Sequence, residues 1–278
     1  MADLPFSLLL PVYHGDDPAH LRRAFESSVV EQTLPPAQVV LVQDGPVGET
    51  LDAAVRDIRA SSPVPVALEV LPDNRGLASA LTAGLARCEH DIVARMDADD
   101  VSEPDRFARQ LPLLEGGVDL VGSGMHEFVD EAGAEREVGQ RTPPLGHDHI
   151  VRYARFHSPF NHPTIVFRRS AVEKAGGYTE LPYLEDYWLF ARMIMTGARV
   201  ANLAEPLVKY RVSSGSYARR GGLRLFRSEL ELQRRFRSIG FTSLGQFARN
   251  TLVRCGYRLV PEAARRSAYR RVFAKRLS

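Results

Sequence analysis

The feature that most constrains this chain is an alternation over its first hundred residues. Short apolar runs take turns with helical spacings, and each run stops in a polar turn. Residues 6–12 are apolar with Pro11 near the end, and read as a buried strand. Residues 17–31 have helical spacing at Leu21, Ala24, Phe25 and Val29, with Pro18 at the first helical position. Strands follow at 38–42, 64–71 and 91–96, with helices at 48–61 and 77–88. Asp44-Gly45-Pro46 and Asn74-Arg75-Gly76 are the turns between them. This rhythm predicts right-handed parallel crossovers and an α/β sheet covered on both faces. In such a sheet ligands bind beyond the carboxyl ends of the strands. There the polar groups gather: Tyr13, Asp44, Asn74, Arg75, Asp97 and Asp99.

After residue 100 the pattern loosens. Helices are expected at 103–114, 147–156 and 185–195, and strands at 118–129, 164–167 and 207–212. Residues 130–144 read as a charged, turn-rich loop. Basic helices are expected at 221–237, 244–260 and 262–276. The division is into a ligand-binding, catalytic domain at 1–212 and a basic helical region at 213–278.

Charge separates the two. From Lys209 onward there are 18 lysines and arginines against three acids, which leaves 18 basic and 31 acidic residues for the rest of the 278-residue chain. An acidic body and a basic tail suggest an anionic contact for the tail. Solvated helices, or packing on the acidic body, are the plainer alternatives. Apolar positions lie among the arginines, Phe226, Leu230, Leu232 and Phe236 first, then Phe247, Leu252, Val253 and Tyr257. That pattern suits an interfacial helix on anionic lipid. Cys88 and Cys255 support neither a disulfide framework nor a Cys-rich zinc site. The start of the chain lacks signal-peptide character, and no apolar run is long enough to span a bilayer. The expected location is cytoplasmic, with a peripheral position on the inner face of the cell membrane.

Asp97-Ala98-Asp99 ends the fourth strand, beside Asp100. Two carboxylates at i and i+2 offer hard oxygen ligands to Mn2+ or Mg2+ and leave coordination positions for phosphate. A turn cap is the plainer alternative. Asp44 is suited to accept a hydrogen bond from a base or a ribose, and Arg75, just before a helix, to meet a phosphate or the base; a turn aspartate and a surface arginine are the plainer alternatives. Leu184-Glu185-Asp186-Tyr187-Trp188 opens a helix. Capping alone explains acids there. As chemistry, Asp186 suits proton abstraction from an acceptor hydroxyl, and Tyr187 or Trp188 could stack on a sugar. Asn161 and His162, in a rigid loop before a strand, are further candidates for acceptor or donor sugar contacts, with a structural hydrogen-bonding role the plainer reading of the histidine. No Walker loop, G-x-G-x-x-G or G-x-S-x-G element is present, which removes P-loop phosphoryl transfer, dinucleotide redox chemistry and nucleophile-elbow hydrolysis.

Five stretches occur in order: Leu10-Pro11-Val12-Tyr13, Val42-Gln43-Asp44-Gly45, Asn74-Arg75-Gly76-Leu77, Ala94-Arg95-Met96-Asp97-Ala98-Asp99-Asp100 and Leu184-Glu185-Asp186-Tyr187. With this set the chain resembles the family 2 glycosyltransferases of GT-A fold, above all bacterial exopolysaccharide enzymes of the amylovoran-biosynthesis type. Asn161-His162-Pro163-Thr164 and the segment from Arg211 through Tyr217 and Arg219 to Gly222 extend the likeness. The resemblance implies a Rossmann-like, mostly parallel central sheet flanked by helices, and inverting transfer of one sugar from a nucleotide-diphosphate donor, UDP before others. It implies nucleotide-sugar contacts at Pro11, Val12, Tyr13, Asp44, Asn74, Arg75, Asp97, Ala98 and Asp99. A divalent cation would sit on Asp97 and Asp99, with Asp186 as general base. Glu185, Trp188 and Arg211 would lie near the sugars, Arg211 with Arg219-Arg220 in a lid. The acceptor would be a glycan or lipid-linked glycan of a cell-surface polysaccharide. Gln43 stands where many relatives have Asp, and no Q-x-x-R-W motif of processive synthases is present. Two alternatives differ in class. A sugar nucleotidyltransferase would need a Gly-rich loop after the first strand, which residues 9–13 lack. A non-catalytic binder of nucleic acid through the tail leaves the acid cluster unexplained and has no recognisable nucleic-acid module, so no nucleic-acid partner is expected.

Overall fold

The computed structural model describes residues 4–131, 134–212 and 222–259. The chain divides into two compact units: Met1–Glu180 with Glu185–Val212, and Leu181–Leu184 with Ser213–Ser278.

The first unit is built on nine strands. In chain order they are β1 (Phe6–Tyr13), β2 (Gln38–Asp44), β3 (Val66–Val70), β4 (Ile92–Arg95), β5 (Val101–Ser102), β6 (Leu120–Glu131), β7 (Ala134–Arg141), β8 (Val166–Arg168) and β9 (Val200–Arg211). The sheet order is β3-β2-β1-β4-β8-β6-β9-β5, with β7 paired to β6. The pairings β3–β2, β2–β1, β1–β4 and β6–β9 are parallel; β8 enters antiparallel to both β4 and β6. The first four strands are the parallel crossovers that the alternation predicts. Helices α1 (Pro18–Phe25), α2 (Glu49–Ser61) and α3 (Leu77–Leu85) make the connections. α4 (Arg106–Glu115), α5 (His147–Tyr153), α6 (Arg169–Lys174) and α7 (Glu185–Met195) complete the unit.

Period-two alternation explains the two cores. Leu8, Leu10 and Val12 of β1 pack on one side with Leu21, Phe25 and Phe107. Leu9, between them, packs on the other side with Val42, Leu81 and Phe167. β1 and β2 are therefore apolar on both faces, as an inner parallel sheet requires. Asp17 caps α1, accepting from the amides of Ala19 (2.8 Å) and His20 (3.1 Å).

The expected charged loop at 130–144 is instead half of a β6–β7 hairpin. β7 is an edge strand with most residues exposed, so it needs no apolar alternation, and its charges read as a loop. The expected strand at 207–212 is the end of a longer one, β9. Pro206 interrupts its pattern, and the structure absorbs the break as register shifts opposite Ser123, Gly124 and Met125. A Cβ on Gly124 would stand 2.7 Å from the Ala204 carbonyl oxygen, so glycine is what permits the approach. β5 and α6 are too short to leave a periodic signal.

The second unit contains α8 (Leu223–Ser238), then α9 (Leu244–Asn250), which runs on through a π-helical turn (Thr251–Cys255) into α10 (Gly256–Leu259). Leu232 and Phe236 of α8 are fully buried, and Phe236 meets Phe241 ring to ring at 4.9 Å. The apolar side of α8 is thus core and not a free interfacial face. The expected helix at 262–276, and Tyr217 with Arg219-Arg220, lie outside the described residues. Among the described residues no helix is long and apolar enough to cross a membrane.

Candidate active site

Three strand ends build the site. β1 ends in Tyr13, which is 40% exposed, and the Tyr13 amide donates to the Asp16 carboxylate at 2.9 Å. β2 ends in Asp44. Its two oxygens accept from the backbone amides of Arg75 (2.7 Å) and Gly76 (2.9 Å). Asp44 therefore clamps the loop that leads into α3, and only its remaining lone pairs face a ligand. The loop comes so close that a Cβ on Gly45 would lie 2.4 Å from the Asn74 nitrogen; Gly45 also has a φ of +83°, a conformation glycine adopts readily. Asn74 and Arg75 keep their side chains exposed. Pro11 and Val12 lie within the buried strand, and Val12 and Ala98 belong to the apolar core. The side chains of Val12 and Ala98 are committed to packing, which leaves the main chain for any ligand.

The third strand end, β4, gathers the acids. Asp97, Asp99 and Asp100 present carboxylate oxygens that all lie within 4.8 Å of one another. Asp100 is fully buried; one oxygen accepts from the Arg211 amide at 2.9 Å and the other has no partner. Arg95, buried inside β4, pairs with Asp97 through one Nη, while its Nε and other Nη donate to nothing. Burial pushes the Asp99 carboxyl up to about 6, and repulsion from Asp97 adds to it. Asp100 is driven well above the usual range by burial and by both neighbours. Asp16 joins them: burial, with Asp99 and Asp97 nearby, raises it to about 7. Three carboxylates crowded together with an unmatched buried oxygen fit a hard divalent cation.

The start of α7 belongs to the same electrostatic neighbourhood. Burial raises Glu185 to about 7, and Asp186 adds to the rise. Asp186 is raised by burial to about 6, against a 2.7 Å hydrogen bond from the Tyr187 amide and the opposing charge of Arg95. Asp97 acts on both acids of α7, and Arg95 feels Asp97, Tyr178, Asp100 and Asp186. Arg95 thus links the acid cluster to the helix start. Beside it, a cavity of about 280 Å³ is lined by Arg75, Ser79, Thr82, Tyr178 and Glu180 among others.

Several expectations change. Tyr187 is 1% exposed, and its hydroxyl donates to the Ala154 carbonyl at 2.7 Å. Trp188 is 8% exposed, with the Arg192 guanidinium 5.1 Å over its ring. Both face the core, because an apolar face of α7 must pack on the sheet, so neither stacks on a sugar. Arg211 ends β9. Its Nε donates to the Asp99 carbonyl at 2.7 Å, its side chain pairs with Asp130, and it lies 4.5 Å over the Phe128 ring. Asn161 donates to the Ser123 carbonyl at 2.9 Å. His162 Nε2 meets the Tyr178 hydroxyl at 2.9 Å, and burial holds its imidazole well below the usual range and neutral.

Sequence reasoning missed Arg95, Asp16 and Arg106. A charge inside an apolar strand was the available signal for Arg95. Asp16 was hidden beside the capping Asp17. Arg106, fully buried and pushed down to about 9 by burial, ties the Arg95 carbonyl (2.7 Å) to Ser102 and the Pro163 carbonyl.

The chain is similar to known proteins over most of its length. The amylovoran biosynthesis glycosyltransferase AmsE of Erwinia amylovora is 38% identical over 92% of this chain and 94% of its own. An Escherichia coli UDP-Gal:alpha-D-GlcNAc-diphosphoundecaprenol beta-1,3-galactosyltransferase is 31% identical over 97% of both. The crystal structure of S. aureus TarS 1-349 in complex with UDP-GlcNAc superposes with a TM-score of 0.68 at 17% identity, over 90% of this chain and 72% of that one. The mannosyltransferase PcManGT of Pyrobaculum calidifontis, in complex with GDP-Man and Mn2+, gives 0.63 at 19% identity, over 96% and 75%. At such identities the two structures speak for the GT-A fold alone. The model of the family described as Glycosyl transferase family 2 matches residues 7–176, and with these full-length relatives it follows that the chain belongs to that family and is a glycosyltransferase.

Proposed function

We propose that this enzyme transfers a single sugar, with inversion, from a UDP-sugar to a hydroxyl of a lipid-diphosphate-linked glycan during polysaccharide synthesis. The observation that carries the reading is the shared neighbourhood of the β4 acid cluster and the Glu185–Asp186 pair, joined through buried Arg95. Asp97 and Asp99 would hold Mn2+ or Mg2+, with Asp100 behind them. A cation there would supply charge neutralisation for the leaving diphosphate. Tyr13, Asp44, Asn74 and Arg75 hold the nucleotide, helped by the main chain of Pro11, Val12 and Ala98. The cavity beside Arg75 and Tyr178 takes the donor sugar, and His162 holds the Tyr178 hydroxyl that lines it.

Asp186 accepts the proton of the acceptor hydroxyl as its oxygen bonds to the anomeric carbon, and the bond from that carbon to the diphosphate oxygen breaks. An acid raised to about 6 is still ionised at neutral pH, yet more basic than an ordinary aspartate. Glu185, raised further, holds its proton longer and keeps a second negative charge away from the base. The lipid-linked acceptor and the UDP donor draw support from the E. coli relative, a UDP-Gal:alpha-D-GlcNAc-diphosphoundecaprenol beta-1,3-galactosyltransferase.

A thermal-shift panel of nucleotide sugars, with and without Mn2+, tests the reading. A donor at a hundredfold excess over its Kd stabilises by about 2.7 kcal/mol. The panel is expected to single out UDP-sugars, with a larger shift when Mn2+ is present. A panel in which no nucleotide sugar shifts the midpoint sinks the proposal.

A further inference from the structure

The helical run from Leu244 to Tyr257 buries its polar side and exposes its apolar one. Facing inward, Asn250 is 3% exposed and donates to Gln233 at 3.2 Å. Arg254 grips Glu229 through Nε at 2.6 Å and Nη2 at 3.1 Å, and Arg258 adds a contact at 3.2 Å. Facing outward, Leu244 is 68%, Leu252 78%, Val253 60% and Tyr257 47% exposed, with Ala248 exposed between them. At about 100° per residue Leu244, Ala248 and Leu252 share one face, and Val253 and Tyr257 lie together on the side adjoining it. A water-facing helix normally has the opposite arrangement. Scattered exposed leucines need no explanation, but a continuous apolar stripe marks a contact surface.

The ionic knot sets this orientation. Glu229 is fully buried, and turning the run about its axis would withdraw Arg254 and leave that charge unpaired. The apolar stripe is therefore held outward by a buried ionic contact of its own unit.

Charge identifies what covers it. Residues 213–278 hold sixteen lysines and arginines against three acids. Arg249 sits within the stripe, and Arg227, Arg234 and Arg237 are exposed on α8. An apolar protein partner would be served by the stripe alone; the added positive charge selects a negatively charged plane. A tyrosine in the stripe suits the boundary between headgroups and acyl chains. We infer that the face formed by Leu244, Ala248, Leu252, Val253 and Tyr257 lies on an anionic lipid surface. This deepens the proposed use of a lipid-linked acceptor and rests on that reading for its purpose, though the binding itself needs no sugar chemistry.

The full chain should co-sediment with vesicles of phosphatidylglycerol and phosphatidylethanolamine about tenfold more strongly than with phosphatidylcholine alone. Salt at about 0.5 M should weaken the binding. Leu252→Asp with Val253→Asp, and separately Leu244→Asp, should lower the partition about tenfold while circular dichroism and the UDP–Mn2+ thermal shift stay as in the parent. Since all three positions are exposed, the charge disturbs no core. Equal and negligible binding to both vesicle types overturns the inference. So does a concentration-dependent dimer, abolished by the same substitutions, in a protein that ignores vesicles. A parent that binds vesicles but gives no UDP–Mn2+ shift leaves the membrane face standing and removes the donor reading instead.

Discussion

Two buried clusters of guanidinium and carboxylate groups, one in each unit, behave in opposite ways. In the second unit both oxygens of Glu229 are taken, by Arg254, Arg258 and Gln233. Burial alone pushes that carboxyl up, but the two arginines outweigh it and hold it below the usual range. At the end of β4 the balance is reversed. Arg95 has unmatched donors and Asp100 an unmatched oxygen, while Asp16, Asp99, Asp100, Glu185 and Asp186 are all raised. A buried carboxylate with both oxygens matched needs nothing more and fixes a fold. An unmatched one carries a desolvation cost that a ligand can relieve. The contrast separates a structural ion pair from a site without appeal to motif.

The largest expected effect is on chemistry. Asp186→Asn should lower transfer by about a thousandfold while UDP binding by calorimetry stays within about twofold, since a general base contributes on that scale. Transfer at the parental rate would remove Asp186 from the mechanism and leave its raised carboxyl unexplained. Next comes Glu229→Ala, which strands two guanidinium groups and should cost about 3 kcal/mol of stability in denaturant unfolding. A loss no larger than that of a surface substitution would show that the knot is not structural.

The two clusters should also answer pH with opposite signs. The carboxyls raised to about 6 and 7 in the folded chain bind protons that the unfolded chain, near 4, has released. Their cost is therefore full above about pH 7 and relieved as the pH falls toward about 4. Glu229, lowered on folding, contributes stability above the unfolded value of about 4.3 and loses it as the pH falls through its own lower value. Metal-free protein should accordingly melt higher, by about 3 °C, at about pH 5.5 than at about pH 8. Mn2+ at the higher pH should remove the difference, and a trend of opposite sign would contradict the crowding at β4. The smallest effect sets the floor for the comparison. Arg22 and Asp57 pair at 2.8 Å with both side chains exposed, and Arg22→Ala should cost about 0.5 kcal/mol or less.

The strand–helix alternation and the polar strand ends were readable from the amino-acid order, because each depends on periodicity and turn chemistry within a few residues. The ordered Asp44, Arg75, Asp97–Asp99 and Asp186 stretches were readable for the same reason. Only the tertiary structure could show that Asp44 spends its first hydrogen bonds on a loop thirty residues away, or that Tyr187 and Trp188 turn inward. Only it could bring Asp16 and Arg95 to the acid cluster, form a β-hairpin from the charged segment 130–144, and turn the apolar side of 244–257 outward. Those outcomes depend on which distant groups share a desolvated volume. Coulomb energy and burial are sums over neighbours in space, and chain order alone does not list those neighbours.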